Sequence, residues 1–114
     1  MKRATAAIWH SDRPEAPFSV ERFAIVEEIA ADELLLRNEC AGNCGSDAHV
    51  VRSRLKTGEF ILGHEVCGIV EAVGEDFRDA SGAPLQVGDR VVAESFIPCM
   101  ACEYCRHRRR VKCC

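Results

Sequence analysis

No stretch of 18 or more consecutive apolar residues occurs in the 114-residue sequence, which argues against a membrane-spanning helix. The opening Met1-Lys2-Arg3-Ala4-Thr5 runs into alternating sequence with polar breaks at His10 and Asp12, not into a continuous apolar segment, so no secretory leader is expected. Internal repeats and low-complexity tracts are missing as well, which excludes solenoid and tail-like architectures and leaves one small soluble domain spanning residues 1–114. Charge of one sign is also scarce: 15 lysines and arginines face 18 acidic residues, for a net charge of −3. The cations concentrate at the end, where Arg106, Arg108, Arg109, Arg110 and Lys112 face only Glu103. The acidic body that remains argues against a nucleic-acid surface over most of the chain, and a short arginine run usually marks a solvated face.

Cysteine, by contrast, is abundant, with eight in the chain. A protein without a leader is expected in the cytoplasm, where dense thiols hold metal more often than they form disulfides. Cys99, Cys102, Cys105 and Cys113 make a C-x2-C-x2-C-x7-C array. Four thiolates at such spacing suit a tetrahedral Zn²⁺ with no open position, a structural site, because Zn–S bonds of about 2.3 Å need ligands gathered by tight turns. An iron–sulfur cluster is the competing reading, but the bacterial ferredoxin run closes with three residues and Cys-Pro, not with seven. Cys114 adjoins Cys113 and competes as fourth ligand. The neighbouring arginines offset the net negative charge of a four-thiolate zinc.

Short β-like runs dominate the rest. Residues 4–9 and 20–28 are separated by Pro14 and Pro17, which suit a loop. Residues 34–41 alternate as a half-buried strand. Residues 66–73 are almost wholly apolar, which predicts a strand buried on both faces, with Gly68 marking a bulge or close backbone approach. Residues 75–87, rich in Asp, Ser, Gly and Pro, predict a surface loop shaping either a substrate entrance or a subunit contact, before Gly88-Asp89 turns into a strand at 90–94. Only residues 46–56 look helical. The pattern predicts a mainly β (α+β) domain, a small barrel or sandwich with a helical turn or two inserted. Cys40 and Cys67 fall on strands and read as small core residues. Trp9, Phe23 and Phe60 read as core or cleft wall, whereas His10 and His107 carry no pattern.

A second constellation joins Cys44-Gly45-Ser46-Asp47-Ala48-His49 to Gly63-His64-Glu65. Cys44 and His64 end different elements, as the ligands of an open catalytic metal site usually do. Spacing alone also allows a buried thiol and a hydrogen-bonded histidine. These residues, with Gly68, Val70, Gly88-Asp89-Arg90-Val91 and the four-cysteine lobe at 96–114, follow the order and spacing of the zinc-dependent alcohol dehydrogenases. From about residue 24 onward the chain resembles this medium-chain dehydrogenase/reductase family. The resemblance implies a GroES-like, partly open β-barrel and reversible hydride transfer between an alcohol and NAD or NADP. It makes Cys44 and His64 ligands of a catalytic zinc, with Glu65 either a further ligand or just behind them. Asp47 then accepts a hydrogen bond from the other ring nitrogen of His64, and Ser46 and His49 form a proton relay. The bland reading of His49 is an exposed helix histidine.

Members of that family supply a further ligand after the lobe and carry a Rossmann domain, both absent from residues 1–114, in which no Gly-x-Gly-x-x-Gly occurs. The sequence therefore reads as the catalytic portion of such an enzyme, apparently truncated and inactive in isolation, acting on a small-molecule alcohol or carbonyl and able to form homo-oligomers when complete. Arg108 stands where the lobe usually has glycine, and Phe77 replaces a small or aliphatic residue. The alternatives are a small zinc-binding module for nucleic acid or protein, and a decayed dehydrogenase fragment.

Overall fold

Two three-stranded antiparallel sheets frame the molecule in a computed structural model, which describes residues 1–53, 57–95, 98–99 and 101–107. The first sheet has β1 (Arg3–His10) at its centre, flanked by β2 (Phe18–Ala24) and the short β4 (Glu59–Ile61). The second has β5 (Glu65–Val73) between β3 (Leu34–Gly42) and β6 (Arg90–Ala93). Helix α1 (Gly45–Ser53) follows β3, and a single helical turn, α2 (Glu103–Arg106), lies in the cysteine lobe. Among the described residues no ladder joins the two sheets, so the barrel is open.

Pro14 and Pro17 fall in the β1–β2 connection, as their missing amide protons require, and β2 begins directly after Pro17. Residues 25–28 lie outside the strand expected there. Trp9 is 3% exposed and stacks on its cross-strand partner Phe60 with ring centroids 6.0 Å apart. His10, unassigned from sequence, is fully buried and pins all three strands: Nε2 lies 2.7 Å from Ser19 Oγ on β2 and Nδ1 3.0 Å from Glu59 Oε1 on β4. A buried imidazole needs both partners, since an unmet ring nitrogen there would carry its full desolvation cost.

Several expectations need correction. Helix α1 spans Gly45–Ser53; residues 54–56 lie outside the described residues. Strand β4 was not foreseen, because three residues are too few to show an alternation, and neither was α2, hidden among cysteines. Strand β5 is not buried on both faces: only Gly68 and Val70 are buried, the others being half-buried or exposed, because no described element covers the outer face of its sheet. For the same reason Cys40, opposite Cys67 in the β3–β5 ladder, is exposed and Cys67 only half-buried. Neither is a core residue.

Candidate metal centres

The β3–α1 junction and the β4–β5 junction deliver the donors of the first centre. Cys44 directly precedes α1, and Asp47, in its first turn, is buried. His64 directly precedes β5, after Gly63 with φ +94°. A Cβ at Gly63 would be strained in that backbone and would press on Asn43 Oδ1 at 2.9 Å. Glycine thus lets the second junction close on the first.

Asp47 holds the two junctions together. Its Oδ2 accepts the Cys44 amide at 3.0 Å and its Oδ1 accepts the Gly63 amide at 3.3 Å. His64 Nδ1 lies 3.3 Å from Oδ2, which turns Nε2 toward Cys44 Sγ, also at 3.3 Å. A sulfur and a ring nitrogen on one tetrahedral zinc stand about 3.6 Å apart, given Zn–S near 2.3 Å and Zn–N near 2.0 Å. The observed spacing is within a few tenths of that edge, so the pair fits zinc with little movement.

Electrostatics favour the thiolate of Cys44 and the carboxylate of Asp47, and draw His64 toward the protonated ring, which gives up its proton on binding a metal. The Ser46 hydroxyl, 2.9 Å from Cys44 Sγ, lowers the thiol's pKa, and the Ser46 and Asp47 amides and the His64 charge add to this against partial burial. The Cys44 amide likewise lowers the Asp47 carboxyl, assisted by Gly63 and His64. For His64, burial opposes the charged form, but the charges of Asp47 and Cys44 outweigh it and raise its pKa.

The other sequence candidates lie apart from this trio. Glu65 is exposed, and its side chain rests against Gly42, its partner in the β3–β5 ladder. His49 is exposed on α1. In the lobe, Cys99, Cys102 and Cys105 bring their sulfurs within 4.8 Å of one another, and Cys99 Sγ and Cys105 Sγ stand 4.0 Å apart. A four-thiolate zinc has S–S edges of about 3.8 Å, so these three also fit. The expected fourth ligand Cys113, with Cys114 and Arg108, lies outside the described residues.

Cys44 and Asp47 open onto a cavity of about 500 Å³ walled by Trp9, Phe18 and Leu62, with Ala48, Val51 and Arg52 of α1 on the other side. A second cavity of about 280 Å³ reaches His64 and Ser46 past Phe60. Sequence reasoning missed Arg52. Its signal was the spacing of Cys44, Ala48, Val51 and Arg52, which is one helical face.

The pattern of the alcohol dehydrogenase GroES-like domain matches residues 30–114. The chain belongs to that family. It is 35% identical over 109 residues to sorbitol dehydrogenase of Bacillus subtilis (strain 168), covering 91% of this chain and 28% of that protein. The alcohol dehydrogenase of Thermotoga maritima superposes with a TM-score of 0.78 at 29% identity, over 99% of this chain and 31% of that one. For the alcohol dehydrogenase of Thermus sp. ATN1 the TM-score is 0.77 at 32% identity, over 96% and 30%. The chain thus spans about three-tenths or less of the length of these relatives. No helix among the described residues is long and apolar enough to cross a membrane.

Proposed function

We propose that residues 1–114 form the zinc-binding catalytic domain of an oxidoreductase that interconverts an alcohol with an aldehyde or ketone, using NAD or NADP held by a further domain. The observation that carries this reading is the 3.3 Å approach of Cys44 Sγ to His64 Nε2, with Asp47 behind the ring and an apolar-walled cavity in front. A zinc ion bound there supplies a Lewis acid that favours the alkoxide of an alcohol or polarises a carbonyl. Asp47 keeps Nδ1 of His64 protonated and Nε2 free to ligate. In this reading Ser46, whose hydroxyl touches the Cys44 sulfur, accepts the proton of a bound alcohol, and His49, one turn along α1, passes it to solvent. Glu65 sits against Gly42 and is better suited to bracing the β3–β5 end than to ligation.

Cys99, Cys102, Cys105 and Cys113 hold a structural zinc in this reading, and a reducing, cytoplasmic setting would keep their thiols available to it. Homo-oligomers are expected of the complete enzyme. Kinship with a sorbitol dehydrogenase makes polyols the first substrates to try. The native polypeptide containing this sequence, loaded with zinc, should reduce NAD⁺ or NADP⁺ with sorbitol or a related polyol, and Cys44→Ser should abolish the reaction. Absence of turnover with polyols, polyol phosphates, sugar acids and simple alcohols, in protein shown to carry two zincs, would overturn the assignment.

A further inference from the structure

Two charged side chains, Asp47 and Arg52, line the larger cavity beside Asn43, Cys44 and an otherwise apolar wall, and the two differ in how they are satisfied. The Asp47 carboxylate is occupied by the Cys44 and Gly63 amides and by His64. Arg52, exposed on α1, has no ion-pair or hydrogen-bond partner among the described residues, whereas Arg13, Arg37 and Arg90 each pair with a glutamate. Across the cavity from Arg52 stand Trp9, Phe18 and Leu62, whose side chains give a guanidinium no acceptor. Its five donors form a fork that matches a carboxylate or phosphate in two parallel bonds. Arg52 lies eight residue steps beyond Cys44, about 12 Å along the axis of α1. An anionic group at Arg52 and a carbinol at Cys44 therefore belong to opposite ends of one extended molecule, and about 500 Å³ is enough for a small metabolite.

We propose that this cavity selects hydroxylated substrates carrying a terminal anionic group, a phosphomonoester or a carboxylate, and that Arg52 receives that group. The proposal rests on the dehydrogenase reading for the role of Cys44, but its test does not need turnover. The zinc-loaded protein is titrated calorimetrically with D-sorbitol, D-sorbitol 6-phosphate, D-gluconate and NADP⁺, as wild type, Arg52→Gln and Arg52→Lys. Trp9, the one tryptophan of the sequence and part of the cavity wall, reports occupancy by its emission.

The expected result is that one of the two anionic sugar derivatives binds at least about 10-fold tighter than sorbitol, as charge-assisted bidentate pairing warrants. Arg52→Gln erases that preference without changing sorbitol binding, and Arg52→Lys restores part of it. Whichever anion is favoured identifies the group as phosphate or carboxylate. Equal affinity for neutral and anionic sugars, no binding of any of them, or a preference that survives Arg52→Gln overturns the proposal. So does a loss confined to NADP⁺, which would give the arginine to the dinucleotide. An anion preference without alcohol oxidation would sink the dehydrogenase reading and leave this one standing.

Discussion

Replacing Asp47 with asparagine tests how the first centre is held. Three donors converge on this carboxylate: the Cys44 amide at 3.0 Å, the Gly63 amide at 3.3 Å and His64 Nδ1 at 3.3 Å. Asparagine has one acceptor oxygen. Kept on the Cys44 and His64 side, it leaves the Gly63 amide facing an NH₂ group; flipped, it leaves two donors unmet. In both orientations the full negative charge behind His64 is gone, so the bond that fixes the ring's tautomer and points Nε2 at Cys44 is weakened in the first and lost in the second. Removal of such a supporting carboxylate typically weakens metal binding by about 10- to 100-fold, and the double anchoring of Asp47 across two junctions places the expected loss toward the upper end. The lobe shares no residue with this site and should keep its zinc. Competition against a metallochromic chelator should therefore show wild type releasing two zincs in two steps, the weaker of which moves by that factor in Asp47→Asn while the tighter does not. Both steps unchanged within about threefold would mean that Asp47 does not orient His64, and the reasoning would be wrong.

Cys105→Ser should remove one zinc from the metal content and lower the thermal midpoint, measured by mass spectrometry and circular dichroism, with the Cys44 site still filled. Gly68→Ala puts a methyl group onto the Arg37 carbonyl and within 3.3 Å of Asn38 Cα, backbone that cannot rotate away, so it should cost about 1–3 kcal/mol in urea unfolding. Gly45→Ala, with nothing within 4 Å, should change stability by less than about 0.5 kcal/mol. The Ser81 hydroxyl and the Ala83 amide hold Asp79 below the ordinary 3.8. Its stabilising effect is thus complete above that value and is lost as pH falls through the lower folded-state value. The urea midpoints of wild type and Asp79→Asn should converge on acidification, and a constant gap would refute this. In the folded protein Cys40 should react with an aromatic disulfide reagent well before buried Cys105.

Most strands were legible because their apolar residues alternate or cluster between proline and glycine breaks, as in residues 34–42 and 65–73. The burial of those strands was not legible. An apolar run such as Val66–Val73 shows what a strand can bury, whereas what covers it depends on elements remote in sequence, and none of the described elements closes over its outer face. At the site, Cys44 and His64 stood out through residue type and family spacing. Arg52 and His10 did not, since an arginine on a helix and a histidine on a strand gain meaning only from the cavity or the partners that folding brings to them.

The β3–β5 ladder contains two irregularities of opposite sense. Between Leu35 and Leu36 the extra residue is Glu71 on β5; between Asn38 and Cys40 it is Glu39 on β3. Each is tied off by a cation, Glu71 by Lys2 and Arg37 and Glu39 by Arg90. Because the two offsets cancel, the pairing returns to its original register at Gly42 and Glu65, immediately before the chain departs toward Cys44 and His64. Loss of Glu39 alone would turn that step into a regular one and keep the pairs that follow, Cys40 with Cys67 through Gly42 with Glu65, because a bulge absorbs its extra residue locally. The ladder therefore has two points at which a strand can gain or lose one residue without disturbing the junctions that lead to Cys44 and His64, and gaps between related chains should fall at Glu39 and Glu71.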